Sequence, residues 1–191
     1  MQFDDVVKNR KSAHSFNKKK VHWEKILEAI DAANQGPFAN NLNNLRFLIV
    51  EEEEMIKKIA EAADQLWINE ASAVILVCSD DKELESMFDE RGRVYSRQQS
   101  GAAIITLIFK LTDLGVSSEW VGAYDDDQLR YHLRIPKEKQ IEAIIPIGYE
   151  KEKRPKKKKK ELVNTLYWEQ WNNNRRPELL KEPKDPYSIA K

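Results

Sequence analysis

The chain has 191 residues, with 32 Lys plus Arg against 32 Asp plus Glu, so it can bury the core of one domain and sets up no overall field that would draw it to nucleic acid or an anionic membrane. Its single cysteine, Cys78, excludes an intrachain disulfide and a thiolate metal cluster, and reads as a small buried apolar residue. No run reaches the ~18 apolar residues of a membrane span, and the acidic, amphipathic first ten residues are unlike a signal peptide, so a cytoplasmic location is expected.

Along the chain, residues 21–33 carry Trp23, Ile26, Leu27 and Ile30 at steps of three and four, which marks one face of a helix ended by Gly36 and Pro37. Residues 45–50 read as a strand, and Ile56, Ile59 and Ala63 then return to helical spacing. Residues 73–78 are apolar at consecutive positions and stop at Ser79, Asp80 and Asp81, the pattern of a strand covered on both faces. Residues 119–122 and 141–148 supply a third and a fourth strand. Between the second and third lies a segment, 94–114, in which Ala102, Ala103, Ile104, Ile105, Leu107, Ile108, Phe109 and Leu111 are apolar nearly all the way round. A helix of that kind is buried on several sides. A chain of this size encloses it with difficulty, so a second copy packing against it, and hence a homodimer, is expected.

Asp125, Asp126 and Asp127 offer N-caps for a helix through Leu129 and Leu133 that Pro136 stops. After Tyr149 the composition changes to a basic run, 151–160, then an apolar patch of Leu162, Val163, Leu166, Tyr167, Trp168 and Trp171, then a tail with Pro177, Pro183 and Pro186. This divides the chain into a domain over 1–150 and an arm over 151–191 that packs on the body or on the other subunit. The expected class is α+β, a sheet flanked by helices, and the lack of a Gly-rich nucleotide loop argues against a Rossmann dinucleotide site.

Four motifs could carry chemistry. The first, residues 10–16, holds Arg10, Lys11, Ser12 and His14, where cations and a hydroxyl suit a phosphate whose oxygens accept charge-assisted hydrogen bonds; a surface turn with scattered charge would read the same. The second, residues 36–47, is an asparagine-rich turn with Asn41 and Asn43. In the third, residues 114–125, Gly115 ends a helix and Gly122, after Trp120 and Val121, leaves room for backbone to approach a planar ring. The fourth joins residues 133–136 and 144–149 to the lysine run with Lys157 and Lys159. That run reads as solvated surface, as a phosphate grip, or as a nucleic-acid arm. The three histidines, His14, His22 and His132, lack metal-ligand spacing, so no metal site is expected.

Taken together and in this order, the four motifs resemble the FMN-dependent nitroreductase family, over most of the chain up to about Tyr149. The resemblance implies a nitroreductase-like fold, a mostly antiparallel sheet flanked by helices in an intertwined homodimer. It implies FMN as cofactor, with Arg10, Lys11, Ser12, His14, Asn41, Asn43, Val121, Gly122, Lys157 and Lys159 around it, and NADH or NADPH as electron donor. Asn41 and Asn43 would reach a flavin held mainly by the other subunit. His14 stands where the family usually has Lys or Arg, facing the flavin's pyrimidine edge. Phe38, Asn44 and Leu45 also depart from the family's serine, proline and tryptophan. The implied chemistry is ping-pong reduction of nitroaromatics, quinones or similar small acceptors, and needs no catalytic side chain, since the cofactor transfers the electrons. Trp67, Tyr95, Trp120 and Tyr124 are candidates to line the space above the ring. Dehalogenation or enone reduction on the same scaffold, and a flavin-free dimeric scaffold protein, stand as alternatives.

Overall fold

A computed structural model describes residues 1–152 and 160–174. In chain order these form α1 (Phe3–Asn9), α2 (Trp23–Asn34), β1 (Leu45–Val50), α3 (Glu53–Ala62), β2 (Ala73–Ser79), α4 (Lys82–Phe88), α5 (Glu90–Asp113), β3 (Ser117–Ser118), α6 (Asp126–Leu133) and β4 (Gln140–Gly148), with short 3-10 turns between some of them. The chain divides into two units, Met1–Arg154 and Pro155–Lys191.

In the first unit the strands pair antiparallel in the order β1-β2-β4-β3, which makes the domain α+β. The central strand β2 is buried at every position, and its alternate side chains enter two different cores. Ala73, Ile75 and Val77 join Ile26, Ala29 and Ala33 of α2 and Ala103, Ile104, Leu107 and Leu111 of α5. Val74, Leu76 and Cys78 join Ile56 and Ile59 of α3 and Leu129 of α6. This two-residue alternation explains why β2 reads as an unbroken apolar run: both faces are covered. The pairing of β2 with β4 slips between Val77 and Cys78, so that Val77 opposes Ala143 while Cys78 opposes Ile141. Glu142 is the extra residue, and the bulge turns Ile141 into the α3–α6 core although Ala143 faces the other one. Burial of Cys78 pushes its thiol up to about 11, which fits an inert packing role.

Two expectations are corrected. The third strand lies at Ser117–Ser118 rather than over residues 119–122, where one isolated bridge joins Val121 to Ile144. Helix α5 begins at Glu90, and α4, which periodicity did not indicate, precedes it. The two helices meet so closely at Gly92 that a Cβ there would stand 2.3 Å from the Leu84 carbonyl oxygen, a position only glycine can fill.

Helix α5 turns Ser96, Gln99, Ser100, Ala103, Ile104, Leu107, Ile108 and Leu111 inward. Its other side is not enclosed: Ile105 and Phe109 are half-buried and Val94 is exposed. Phe3 of α1 covers Phe109 edge-on at 6.0 Å, yet Phe3 is itself 69% exposed. Helix α6 starts as expected, with the Asp125 carboxylate accepting from the Gln128 amide.

In the second unit a 3-10 turn spans Leu162–Thr165, and the Tyr167 and Trp171 rings pack 4.9 Å apart. Leu162, Val163 and Trp171 are exposed. Lys157 and Lys159 lie outside the described residues.

Candidate functional site

The residues singled out in the sequence fall at two ends of the sheet. At one end, residues 10–16 run beside β3 and the end of β4. Ser12 bridges Ser118, Phe16 bridges Glu150, and the Ala13 amide donates to the Ser118 carbonyl at 3.2 Å. Phe16 lies where a side chain on Gly148 would have to go, 2.6 Å from an added Cβ, so glycine there lets the segment close on the sheet. A 3-10 turn, Leu66–Glu70, holds it from the other side: the Phe16 amide donates to Glu70 at 3.1 Å, and His14 stacks on Trp67 with ring centroids 4.7 Å apart and 10° between planes. His14 Nε2 also lies 3.4 Å from Oε2 of Glu119, which follows β3. Lys11 pairs with Glu150.

Two groups at this end, and a third beside the middle of β4, are left open. The guanidinium of Arg10 and the hydroxyl of Ser12 have no hydrogen bond or ion pair to any of the described residues, and the Gly122 amide has no acceptor among them. An added Cβ on Gly122 meets nothing within 4 Å, so open space faces that backbone. Val121 is different. It exchanges both backbone hydrogen bonds with Ile144, at 2.9 and 3.0 Å, and is buried, so it fixes the course of its neighbour and its own amide is not available. Trp120 is exposed on one side and lies 4.0 Å from where a Cβ of Gly101 on α5 would stand.

The other end holds the asparagine-rich loop. Asn40 and Asn41 take positive φ, 50° and 58°, which asparagine tolerates better than most residues. Gln99 of α5 accepts from the Ala39 amide at 3.1 Å and donates to the Leu42 carbonyl and the Asn44 side chain. Asn44 in turn donates to Ser96 at 2.8 Å and to the Asp80 carbonyl at 3.0 Å. Asn43 donates to Asn34 and accepts from the Leu45 amide. Asn41 is exposed at the tip. Nearby, Arg97 pairs with Asp81 and with Glu142; burial pushes the Glu142 carboxyl up, while the hydrogen bond from Lys139 holds Asp80 below the usual carboxylate range. Among the described residues no group of His, Cys, Asp and Glu could hold a metal ion.

The two ends do not meet within one chain. Leu45 is registered with Ser79 and Ser79 with Gln140, whereas Ser117 is registered with Gly148. Gln140 and Gly148 are the two termini of β4, about 26 Å apart at a rise of ~3.3 Å per residue. Of the aromatic candidates, Trp67 stands with residues 10–16 and Trp120 beside Gly101 of α5. Tyr95 instead packs on Phe88 at 5.2 Å. Tyr124 packs against the α3–α6 core and donates to the Ile141 carbonyl at 2.9 Å, with burial raising its phenol. The carboxylates of Glu70, Glu119 and Glu150 were not assigned from sequence. Glu119 lay inside a quoted motif, but nothing local indicates that it faces His14.

A family model described as Nitroreductase family matches residues 7–82 and 61–149. The chain belongs to the nitroreductase family. Relatives include a protein named iodotyrosine deiodinase from Thermotoga neapolitana, 26% identical over 175 residues, which are 83% of this chain and 94% of that one. Another is the FMN reductase [NAD(P)H] of Bacillus subtilis, 25% identical over 84% of this chain and 73% of the relative. Among solved structures, an FMN-dependent nitroreductase from Clostridium difficile R20291 superposes with a TM-score of 0.75 over 87% of this chain and 98% of that one. Its identity of 18% makes this a likeness of fold. The expected architecture, a nitroreductase-like antiparallel sheet flanked by helices, is thereby borne out.

Proposed function

We propose that the chain is a homodimeric oxidoreductase that binds FMN and uses NADH or NADPH to reduce small acceptors such as nitroaromatics or quinones in a ping-pong cycle. The observation that carries this reading is a set of donors along the β3 side of β4. Arg10, Ser12 and the Gly122 amide are a cation, a hydroxyl and a backbone N–H without acceptors among the described residues, and this set suits a phosphate, a polyol chain and a ring nitrogen of a flavin nucleotide. FMN would supply the two-electron transfer between donor and acceptor.

The chain's own residues bind and orient it. Arg10 and Ser12 would take the phosphate and ribityl side, with Lys11, tied to Glu150, lending charge nearby. Val121 anchors the segment that presents Gly122, and His14 would stand at the pyrimidine edge. No side chain needs to act as nucleophile or strong acid.

Asn41 and Asn43 belong to the site only if a second copy brings its loop to the open end, because one chain holds the two ends about 26 Å apart. The incompletely covered side of α5, with Val94, Ile105 and Phe109, supports such a partner. Among the described residues no helix is long and apolar enough to cross a membrane, and we place the protein in the cytoplasm, without nucleic acid or membrane partners. A second reading, reductive dehalogenation, is favoured by the relative named iodotyrosine deiodinase.

The purified protein should be yellow, with flavin absorption and FMN released on denaturation. Ile105→Glu, which sets a charge on the open side of α5, should convert dimers to monomers by gel filtration and release FMN with them. Monomers that keep their flavin would defeat the interface placement, and a colourless protein that stays empty in excess FMN would defeat the function. Turnover of nitrofurazone against 3-iodotyrosine, each with NADH and NADPH, separates the two readings.

A further inference from the structure

The loop that runs from residues 10–16 into α2 carries Lys18, Lys19 and Lys20, all exposed. Hydrogen bonds fix its course. The Asn17 amide donates to the Tyr149 carbonyl at 2.9 Å, the Lys19 amide to the Asn17 side chain at 2.9 Å, and the Val21 amide to the Ser72 hydroxyl at 2.7 Å. Two more cations stand beside it. Lys25, in the first turn of α2, donates to the Leu114 carbonyl at 2.8 Å and to the Tyr149 hydroxyl at 3.4 Å. Lys151 is tied through its amide to the Ser15 carbonyl at 3.2 Å. The ammonium groups of Lys19 and Lys25 lie 4.8 and 5.6 Å from the centre of the Tyr149 ring.

None of Lys18, Lys19, Lys20, Lys25 and Lys151 makes an ion pair with a described residue. The carboxylates of the same elements are engaged elsewhere: Glu150 with Lys11, Glu28 with Lys110, and Glu24 against His22. Glu152 is the acidic neighbour of Lys151. A lysine in the first turn of a helix opposes the helix dipole, and cations crowded on one loop repel one another, so the patch does not serve the fold. In a chain whose charges balance overall, it is a local field. Next to it, the outer face of α2 presents Trp23 and Leu27 one turn apart, 57% and 48% exposed.

An apolar centre with a charged rim is the anatomy of a protein-docking surface. Nucleic acid held without sequence preference needs successive open ring faces on which bases stack. Here cations stand over Tyr149, and Trp23 has His22 stacked against it at 6.0 Å. The patch also adjoins the proposed cofactor cradle, since its loop continues from Arg10 and Ser12 and Tyr149 follows directly on β4.

We propose that Trp23, Leu27 and the surrounding lysines dock an acidic one-electron carrier protein, a source of reducing equivalents beside NADH or NADPH. Delivery of the electrons rests on the FMN reading, whereas docking does not. Two reduced carriers are each oxidised by one electron, and bound FMN, taking up both electrons and two protons from water, is reduced. Complexes of this kind are small, short-lived and steered by charge.

The probe is a plant-type [2Fe–2S] ferredoxin, an acidic carrier of single electrons. Titrated in its oxidised form against the full chain, it should bind at low salt and weaken steeply as salt screens the patch. The double variant Lys18→Glu with Lys20→Glu should weaken binding about 10-fold or more, and Lys18→Arg with Lys20→Arg should retain it. Trp23→Ala should weaken it at every salt concentration. In the FMN-loaded protein, the rate of flavin reduction by reduced ferredoxin, divided by the rate with NADPH, should fall by a similar factor in the charge-reversed variant. Absence of ferredoxin binding at low salt overturns the proposal, as does binding indifferent to charge reversal. Tighter binding of a labelled single-stranded oligonucleotide or of phosphatidylserine vesicles, lost on charge reversal, overturns it in favour of that ligand. Dissociation of a homodimer by Trp23→Ala would make the face a subunit contact and overturns it too. A protein that takes up no FMN overturns the proposed function and electron delivery together, while an FMN-loaded protein that binds ferredoxin and is not reduced by it overturns delivery alone.

Discussion

The two ends of the sheet treat their polar groups in opposite ways. Around the asparagine-rich loop, Gln99, Asn44 and Ser96 are buried and every one of them is hydrogen-bonded. Around residues 10–16 a cation and a hydroxyl are left open, and Oε1 of Glu150 is a buried oxygen without a hydrogen-bond partner among the described residues. A satisfied buried network rigidifies, while solvent-accessible donors without a protein acceptor are free to meet a ligand. The first end holds a loop in shape; the second is built to receive something.

Breaking the satisfied end should have the largest energetic effect. Asn44→Ala removes hydrogen bonds to Ser96, Gln99 and the Asp80 carbonyl together, and should cost about 3 kcal/mol in urea unfolding, at about 1 kcal/mol for each bond lost. Flavin content should fall only in step with the folded fraction. Arg10→Ala should do the reverse: weaken FMN binding about 10- to 100-fold, as expected for a charge-assisted contact, with a melting temperature close to wild type. If Arg10→Ala unfolds the protein or leaves flavin affinity unchanged, the distinction between the ends fails.

The smallest effect belongs to the rim of the satisfied end. Asp80 has its folded pKa depressed by the hydrogen bond from Lys139, so its stabilising contribution is present above the unfolded carboxylate value and is lost as pH falls through the folded one. Asp80→Asn should therefore lower stability by roughly 0.5 kcal/mol or less near neutrality, given how exposed the pair is. The gap to wild type should close below the ordinary carboxylate range, as read by denaturant midpoints at several pH values.

Much of the architecture was legible because burial leaves a periodic trace. β2 is apolar at consecutive positions since helices cover both its faces, and α2 shows one apolar stripe because it has one buried face. Helix α4 left no such trace: Leu84 is its buried residue, and one contact makes no period. The third strand was misplaced because residues 119–122 look strand-like, whereas Ser117 and Ser118 are polar and pair through main-chain contacts with β4 and with Ser12. Candidates for the site were legible where motif and chemistry coincide, as for Arg10 and Ser12. The approach of Glu119 to His14 was not, since it is a tertiary meeting that local sequence does not encode.

The length of β4 has a genetic consequence under the proposed dimer. If each cofactor cradle draws one wall from either polypeptide, two defective alleles can rescue one another. Co-expressing Arg10→Ala with Asn41→Asp should yield mixed pairs in which one cradle carries both lesions and the other carries none. Activity would then reappear in a cell where neither variant alone supports it.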